Sequence, residues 1–204
     1  FFYLMFESAE AFNQDLRGWT LDEDDYVYLG DIFLGADLMQ SSQGVGDTPS
    51  MYYFNPFPDK ATLQSAVDAW VDDQNSTKEL YGYINKWDVS RITDFSSLFE
   101  GKTSFNSAIG DWDVSSGTSF KSTFSLAPDF NQDISEWDVS SGTDFGLMFY
   151  EASSFDQDIS GWDVSKGTNF AYMFLEASLF DQNLRYWSVD ENAYLNHMFS
   201  DLMI

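Results

Sequence analysis

The chain has 204 residues, 44% of them hydrophobic and 19% aromatic, enough to bury a sizeable core either as one elongated domain or as two short arrays. Nine basic side chains stand against 34 acidic ones, a net charge of −25, so its electrostatic field repels phosphate backbones and anionic lipid and argues against nucleic-acid and polybasic membrane partners. There is no cysteine, which excludes a disulfide framework and a thiolate metal site, and no apolar run of the length needed to span a membrane.

Residues 1–36 read as the end of a preceding repeat array. Shifted by 168 positions they align Phe2 with Phe170, Met5 with Met173, Phe6 with Phe174, Phe12 with Phe180, Leu16 with Leu184, Arg17 with Arg185 and Trp19 with Trp187. Asp22, Glu23 and Tyr26 return in the same way as Asp190, Glu191 and Tyr194. A second, longer period therefore overlies the short one described below. The chain begins at Phe1, in mid-unit, so it is expected to be part of something longer.

Residues 37–60 break the pattern and form a join, with Gly44, Gly46, Pro49, Pro56 and Pro58 supplying turn chemistry. Tyr52, Tyr53, Phe54 and Phe57 are too bulky for a loose linker, so the join is expected to fold back on an array end. Residues 61–76 read as a capping helix. Asp59 offers an N-cap, and Leu63, Ala66, Val67, Trp70 and Val71 make one apolar face that would cover the first edge of the next array. Asn75-Ser76-Thr77 is an N-glycosylation sequon, placed in an exposed loop, with Asn75 an acceptor if the source is eukaryotic and the protein secreted.

Residues 77–204 form the repeat array, with five 25-residue units from about residue 80. The spacing brings Trp87, Trp112, Trp137, Trp162 and Trp187 into one column, and Phe99, Phe124, Phe149, Phe174 and Phe199 into another. A fixed period of this length is the signature of units that bury their apolar faces by stacking. Within a unit, Trp137-Asp138-Val139-Ser140 alternates as a strand does, while Phe145, Met148, Phe149 and Ala152 make a helical stripe after Thr143 as N-cap. The expected fold is an α/β solenoid, a leucine-rich-repeat-like stack of short parallel strands and short helices with a capping helix. Right-handed crossovers and a strand spacing of about 4.8 Å would follow.

The blocks DKATLQSAVDAWVDD, YGYINKWDVSRITDFSSLF and FNQDISEWDVSSGTDFGLMFYEASSFDQDISGWDVS resemble the Mycoplasma-type 25-residue surface-lipoprotein repeat, a relative of BspA-like leucine-rich repeats also found in large algal surface proteins. The resemblance implies a leucine-rich-repeat-like solenoid in a surface or secreted setting, and implies no catalytic residue. One departure stands out. Ile92 keeps the β-branched residue of the family pattern, but Gly117, Gly142 and Gly167 replace it where Phe120, Phe145 and Phe170 replace Met. This reads as an exchange of volume inside one core layer, with φ > 0 open to the glycines.

The aromatic columns read as core rather than as a carbohydrate platform. In-register stacking lines up Asp88, Asp113, Asp138 and Asp163, and pairs Asp133 with Asp158. Screening and hydrogen bonds to Ser90, Ser115, Ser140 and Ser165 are the favoured answer to their repulsion, with calcium the alternative and no other cofactor implied. His197 has no partner motif and reads as a surface or helix-end residue. With no nucleophile, base and orienting group in a recognisable spacing, the chain is not read as an enzyme. It reads as a structural module of a long extracellular or cell-surface protein, stacked head to tail on further copies or adjacent modules into a fibre or stalk. The rival is an adhesin-type module holding a protein or glycan on an exposed face. Covering of the apolar Leu202, Met203 and Ile204 by such a neighbour is part of the first reading.

Overall fold

The computed structural model describes residues 2, 4–14, 16–17, 19, 21 and 29–199. Three helices precede the repeats. α1, Asp37–Gln43, ends at Gly44, whose φ of 74° lets its N–H return to the Gln40 carbonyl. α2, Lys60–Asp72, starts at Asp59, which accepts from the Thr62 N–H, and buries Leu63, Ala66, Val67 and Trp70. α3, Gln74–Tyr81, follows directly, because Asp73 accepts from the N–H groups of both Asn75 and Ser76. The expected loop at the sequon is thus the first turn of a helix.

α2 lies across the first repeat. Gln64 Nε2 donates to the Leu98 carbonyl at 3.0 Å, and Trp70 Nε1 donates to Ser107 Oγ at 3.0 Å. Lys60 pairs with Asp94 at 3.1 Å and Lys102 with Asp68 at 2.7 Å. The helix therefore satisfies an acceptor of the exposed edge as well as covering its apolar side chains.

The repeats stack in register, but the expected α/β solenoid of parallel strands and short helices is not what they form. Among the described residues there is no β-strand, and the three helices all lie before residue 82. The parallel pairing consists of isolated bridges: Asp94 with Ser119, Ser119 with Asp144, Asp144 with Asn169, Asn169 with Tyr194, and Phe174 with Phe199. A leucine-rich-repeat-like architecture is overturned with it.

The reason lies in how the backbone divides its donors. The N–H groups of Phe120, Ser122, Phe124 and Leu126 donate to Asp144, Gly146, Met148 and Tyr150 of the next layer at 2.7 to 2.9 Å. Those of Thr123, Ser125 and Ala127 turn back to Phe120, Ser122 and Phe124 in their own layer at 3.1 to 3.2 Å. This alternation needs a left-handed residue every fourth position, and Ser122, Leu126, Leu147, Glu151, Tyr172 and Glu176 have φ of 56° to 61°. Each costs an L-residue roughly 1–2 kcal/mol, which the hydrogen bond to the neighbouring layer offsets. Successive tight turns with a period of four bring Phe145, Met148, Phe149 and Ala152 to the same side as a helix would, and all four are buried.

The expected strand fails for a related reason. Trp137 and Val139 are buried while Asp138 is exposed, as alternation requires. However, the Ser140 N–H is taken by Asp138 Oδ1 and the Gly142 N–H by the Val139 carbonyl, so no ladder can run there. Thr143, expected as an N-cap, is an inter-layer clip: its N–H and Oγ1 both donate to the Thr118 carbonyl, at 2.8 and 3.0 Å.

The columns are continuous, and buried except at the last ring, Phe199. Phe99, Phe124, Phe149, Phe174 and Phe199 stack at centroid spacings of 5.3 to 5.6 Å. Phe105, Phe130, Phe155 and Phe180 stack at 5.8 to 6.0 Å. Each buried ring contributes about 1.5–3 kcal/mol. Trp112, Trp137 and Trp162 are buried and Trp187 half-buried, and they join layers: their Nε1 atoms donate to the carbonyls of Ile84, Ile109, Ile134 and Ile159 at 2.7 to 3.1 Å.

The chain holds two cores. Leu16, Leu21, Leu29, Ile32, Phe33, Met39, Val45, Tyr53 and Phe54 belong to the first, and residues from Phe57 to Phe180 to the second. The N-terminal fragment carries the repeat conformation, since Leu4 and Ser8 have φ of 53° and 55° where their counterparts Tyr172 and Glu176 have 58° and 61°. Asp22, Glu23, Tyr26, Leu202, Met203 and Ile204 lie outside the described residues.

Gly117, Gly142 and Gly167 do not use positive φ; they make room. A Cβ on Gly142 would sit 2.4 Å from the tip of the Phe145 ring and 2.9 Å from the Val139 carbonyl oxygen. Gly142→Ala is therefore expected to destabilise the chain by about 1–3 kcal/mol. Phe145→Leu in the same chain is expected to recover part of the loss. Denaturant unfolding of the single and double variants checks this, with non-additivity as the signature.

Candidate functional site

The acidic columns are on the surface, as stacking requires, but the carboxylates are turned toward their own backbone. Oδ1 of Asp88, Asp113, Asp138 and Asp163 accepts the N–H of Ser90, Ser115, Ser140 and Ser165 at 3.0 to 3.1 Å. Asp133 and Asp158 do the same with Ser135 and Ser160 at 2.9 and 3.0 Å. Hydrogen bonds from Ser140 hold Asp138 below the usual carboxylate range; Asp163 pushes it the other way and Lys166 assists. Ser165, Ser135 and Ser160 likewise lower Asp163, Asp133 and Asp158.

Among the described residues no group of three or more His, Cys, Asp or Glu side chains is arranged to hold a metal ion. A calcium site at Asp88, Asp113, Asp138 and Asp163 is therefore unsupported. Chelation needs several oxygens converging on one point, whereas here each carboxylate closes a turn in its own layer.

A polar ladder escaped the reading of the sequence. Asn106 Oδ1 accepts the Asn131 N–H at 3.0 Å and Gln132 Nε2 at 2.9 Å. Asn131 Oδ1 accepts the Asp156 N–H at 3.0 Å and Gln157 Nε2 at 2.8 Å, and Asp156 Oδ1 accepts the Asp181 N–H at 3.0 Å and Gln182 Nε2 at 2.7 Å. The signal was present in the Asn-Gln or Asp-Gln pair that follows Phe130, Phe155 and Phe180.

Asn75 is exposed on the first turn of α3, but Thr77 of its sequon is buried. His197 is exposed, has a φ of 49°, and stacks on Tyr172 at 5.5 Å. Two of the surface grooves lie on the repeat array. A lateral groove of about 620 Å³ runs across the layers, lined by Thr103, Leu126, Pro128, Glu151, Ser153 and Glu176 with Ser178. An apolar groove of about 330 Å³ lies at the end of the second core, lined by Leu184, Trp187, Val189, Leu195, Met198 and Phe199 among others. No helix among the described residues is long and apolar enough to cross a membrane.

Stacked, turn-built repeats with aromatic columns define a class of repeat module. The family described as "Mycoplasma protein of unknown function, DUF285" matches residues 2–70 and 69–187, and the chain belongs to it. Neither a curated protein nor a solved structure matches the chain.

The depressed carboxylate pKa values set a sign. A group whose folded pKa lies below its unfolded value stabilises the fold above the unfolded value and loses that contribution as pH falls through the folded one. The stability difference between the chain and its Asp138→Ala variant is accordingly expected to be full at pH 7 and to shrink below about pH 4. Denaturant midpoints across pH check it. Thermal melts are expected to differ by no more than a few degrees between millimolar calcium and chelator; a shift above about 10 °C would mark a bound ion.

Proposed function

We propose that the chain is a non-catalytic structural module of a long extracellular or cell-surface protein, in which repeat arrays are joined end to end into a fibre or stalk. The observation that carries this reading is the join. Within six residues it divides its aromatics between the cores, with Tyr53 and Phe54 buried in the first and Phe57 in the second. Phe57 packs on Trp87 at 5.4 Å and on Tyr81 at 5.9 Å, and its N–H donates to the Asp88 carbonyl at 2.9 Å. The Ser50 N–H donates to the Leu80 carbonyl at 2.7 Å, and the Gly46 N–H to the Glu79 carbonyl at 2.8 Å. A joint clamped in this way transmits load between arrays, whereas a loose linker separates them. Its partners on this reading are further copies or adjacent modules, head to tail.

The lateral groove favours a second reading, an adhesin-type module that lays a protein or glycan along the layers. Its lining mixes the apolar Leu126 and Pro128 with Glu151, Glu176, Thr103 and two serines.

Antibody raised against the chain is expected to label intact source cells along linear surface structures. Labelling that requires permeabilisation would overturn the surface assignment. Surface labelling without any linear structure, together with partner binding lost in Leu126→Asp, would favour the adhesin reading.

A further inference from the structure

The two cores end in the same way, and among the described residues only the first end is covered. Leu16 corresponds to Leu184 through the 168-residue shift, and Leu21 to Val189. Beyond them the left-handed residues Asp31 (φ 52°) and His197 (φ 49°) bring Leu29, Ile32 and Phe33 into correspondence with Leu195, Met198 and Phe199. The environments differ. Leu29 is 8% and Phe33 0% exposed, against 47% for Leu195 and 41% for Phe199.

The first core shows what covers such an end. Met39 of α1, Val45, Tyr53 and Phe54 from residues 37–54 close over it. Phe33 is held on both sides of its peptide: its N–H donates to the Asp47 carbonyl at 3.0 Å, and Gln40 Nε2 donates to its carbonyl at 2.8 Å. Among the described residues nothing accepts from the Phe199 N–H and nothing donates to its carbonyl. The free backbone groups of Phe199 therefore match those that residues 37–54 satisfy at Phe33.

We propose that the groove lined by Leu184, Trp187, Val189, Leu195, Met198 and Phe199 is a docking site for a second copy of the chain's own joining segment, residues 37–54, seated as the first copy is seated on the first core. The inference rests on the end-to-end reading above and adds to it the occupant and the register. In that register the Phe199 N–H donates to the Asp47 carbonyl of the second copy, and Gln40 of that copy donates to the Phe199 carbonyl.

The test uses the full chain extended beyond residue 204 by a second copy of residues 34–81, since tethering supplies the segment at high effective concentration. Amide hydrogen exchange is followed at Leu195, His197 and Phe199. Protection is expected to rise by about tenfold or more at Phe199 relative to the unextended chain. Val45→Asp with Tyr53→Asp, introduced in the second copy only, is expected to abolish that rise. Unchanged exchange in the extended chain, or protection that survives the double substitution, would overturn the proposal. If surface labelling of native cells persists in that case, the module reading stands and only the occupant is removed.

Discussion

Every layer of this protein depends on a donor–acceptor relation that it cannot complete alone. Half of the backbone N–H groups in each turn-built stretch point away from their own layer and find carbonyls about 25 residues ahead, as Phe145, Leu147, Phe149 and Glu151 do with Asn169, Ala171, Met173 and Leu175. A buried amide without a partner costs about 1–3 kcal/mol, so a layer without its neighbour is unstable by several such terms at once. The relation also has direction. Within these turn-built stretches donors face toward the C-terminal side and acceptors toward the N-terminal side, so the two ends of a stretch need different kinds of cover.

The covers follow that direction. α2 meets the acceptor end of the second core and presents a donor, Gln64 Nε2, to the Leu98 carbonyl. Residues 29–36 and the join meet the donor end of the first core and present carbonyls, Ile32 and Leu34 to the N–H groups of Phe6 and Ser8 and Asp47 to that of Phe33. One continuous segment thus finishes one array and starts the next. The mechanical reading of the protein grows from this double use, because neither core can be separated from the join without uncovering backbone groups as well as aromatic rings.

The exposed surface is acidic, and many of its carboxylates are already engaged. The column aspartates spend an oxygen on their own turns, and Lys60, Lys86 and Lys102 pair with Asp94, Asp111 and Asp68. Such exposed pairs contribute little to stability. A net charge of −25 makes that surface repel anionic groups.

The one capping helix expected over residues 61–76 is two, Lys60–Asp72 and Gln74–Tyr81, divided at Asp73, whereas the sequence by itself determined the period, the membership of the core and the longer 168-residue echo. Each of these is written in which residues are apolar and how far apart they stand, and burial follows that spacing whatever the backbone does. It also placed the column aspartates beside their serines and paired the loss of a branch at Gly142 with the gain of a ring at Phe145. Tertiary structure alone decided the backbone. An i, i+3, i+4, i+7 stripe such as Phe145, Met148, Phe149 and Ala152 fits an α-helix and a run of four-residue turns equally well, and alternation such as Trp137 to Ser140 fits a strand with or without a ladder. The choice depends on whether an N–H is satisfied within its own segment or by a residue about 25 positions away, and that partner exists only once the next layer is in place.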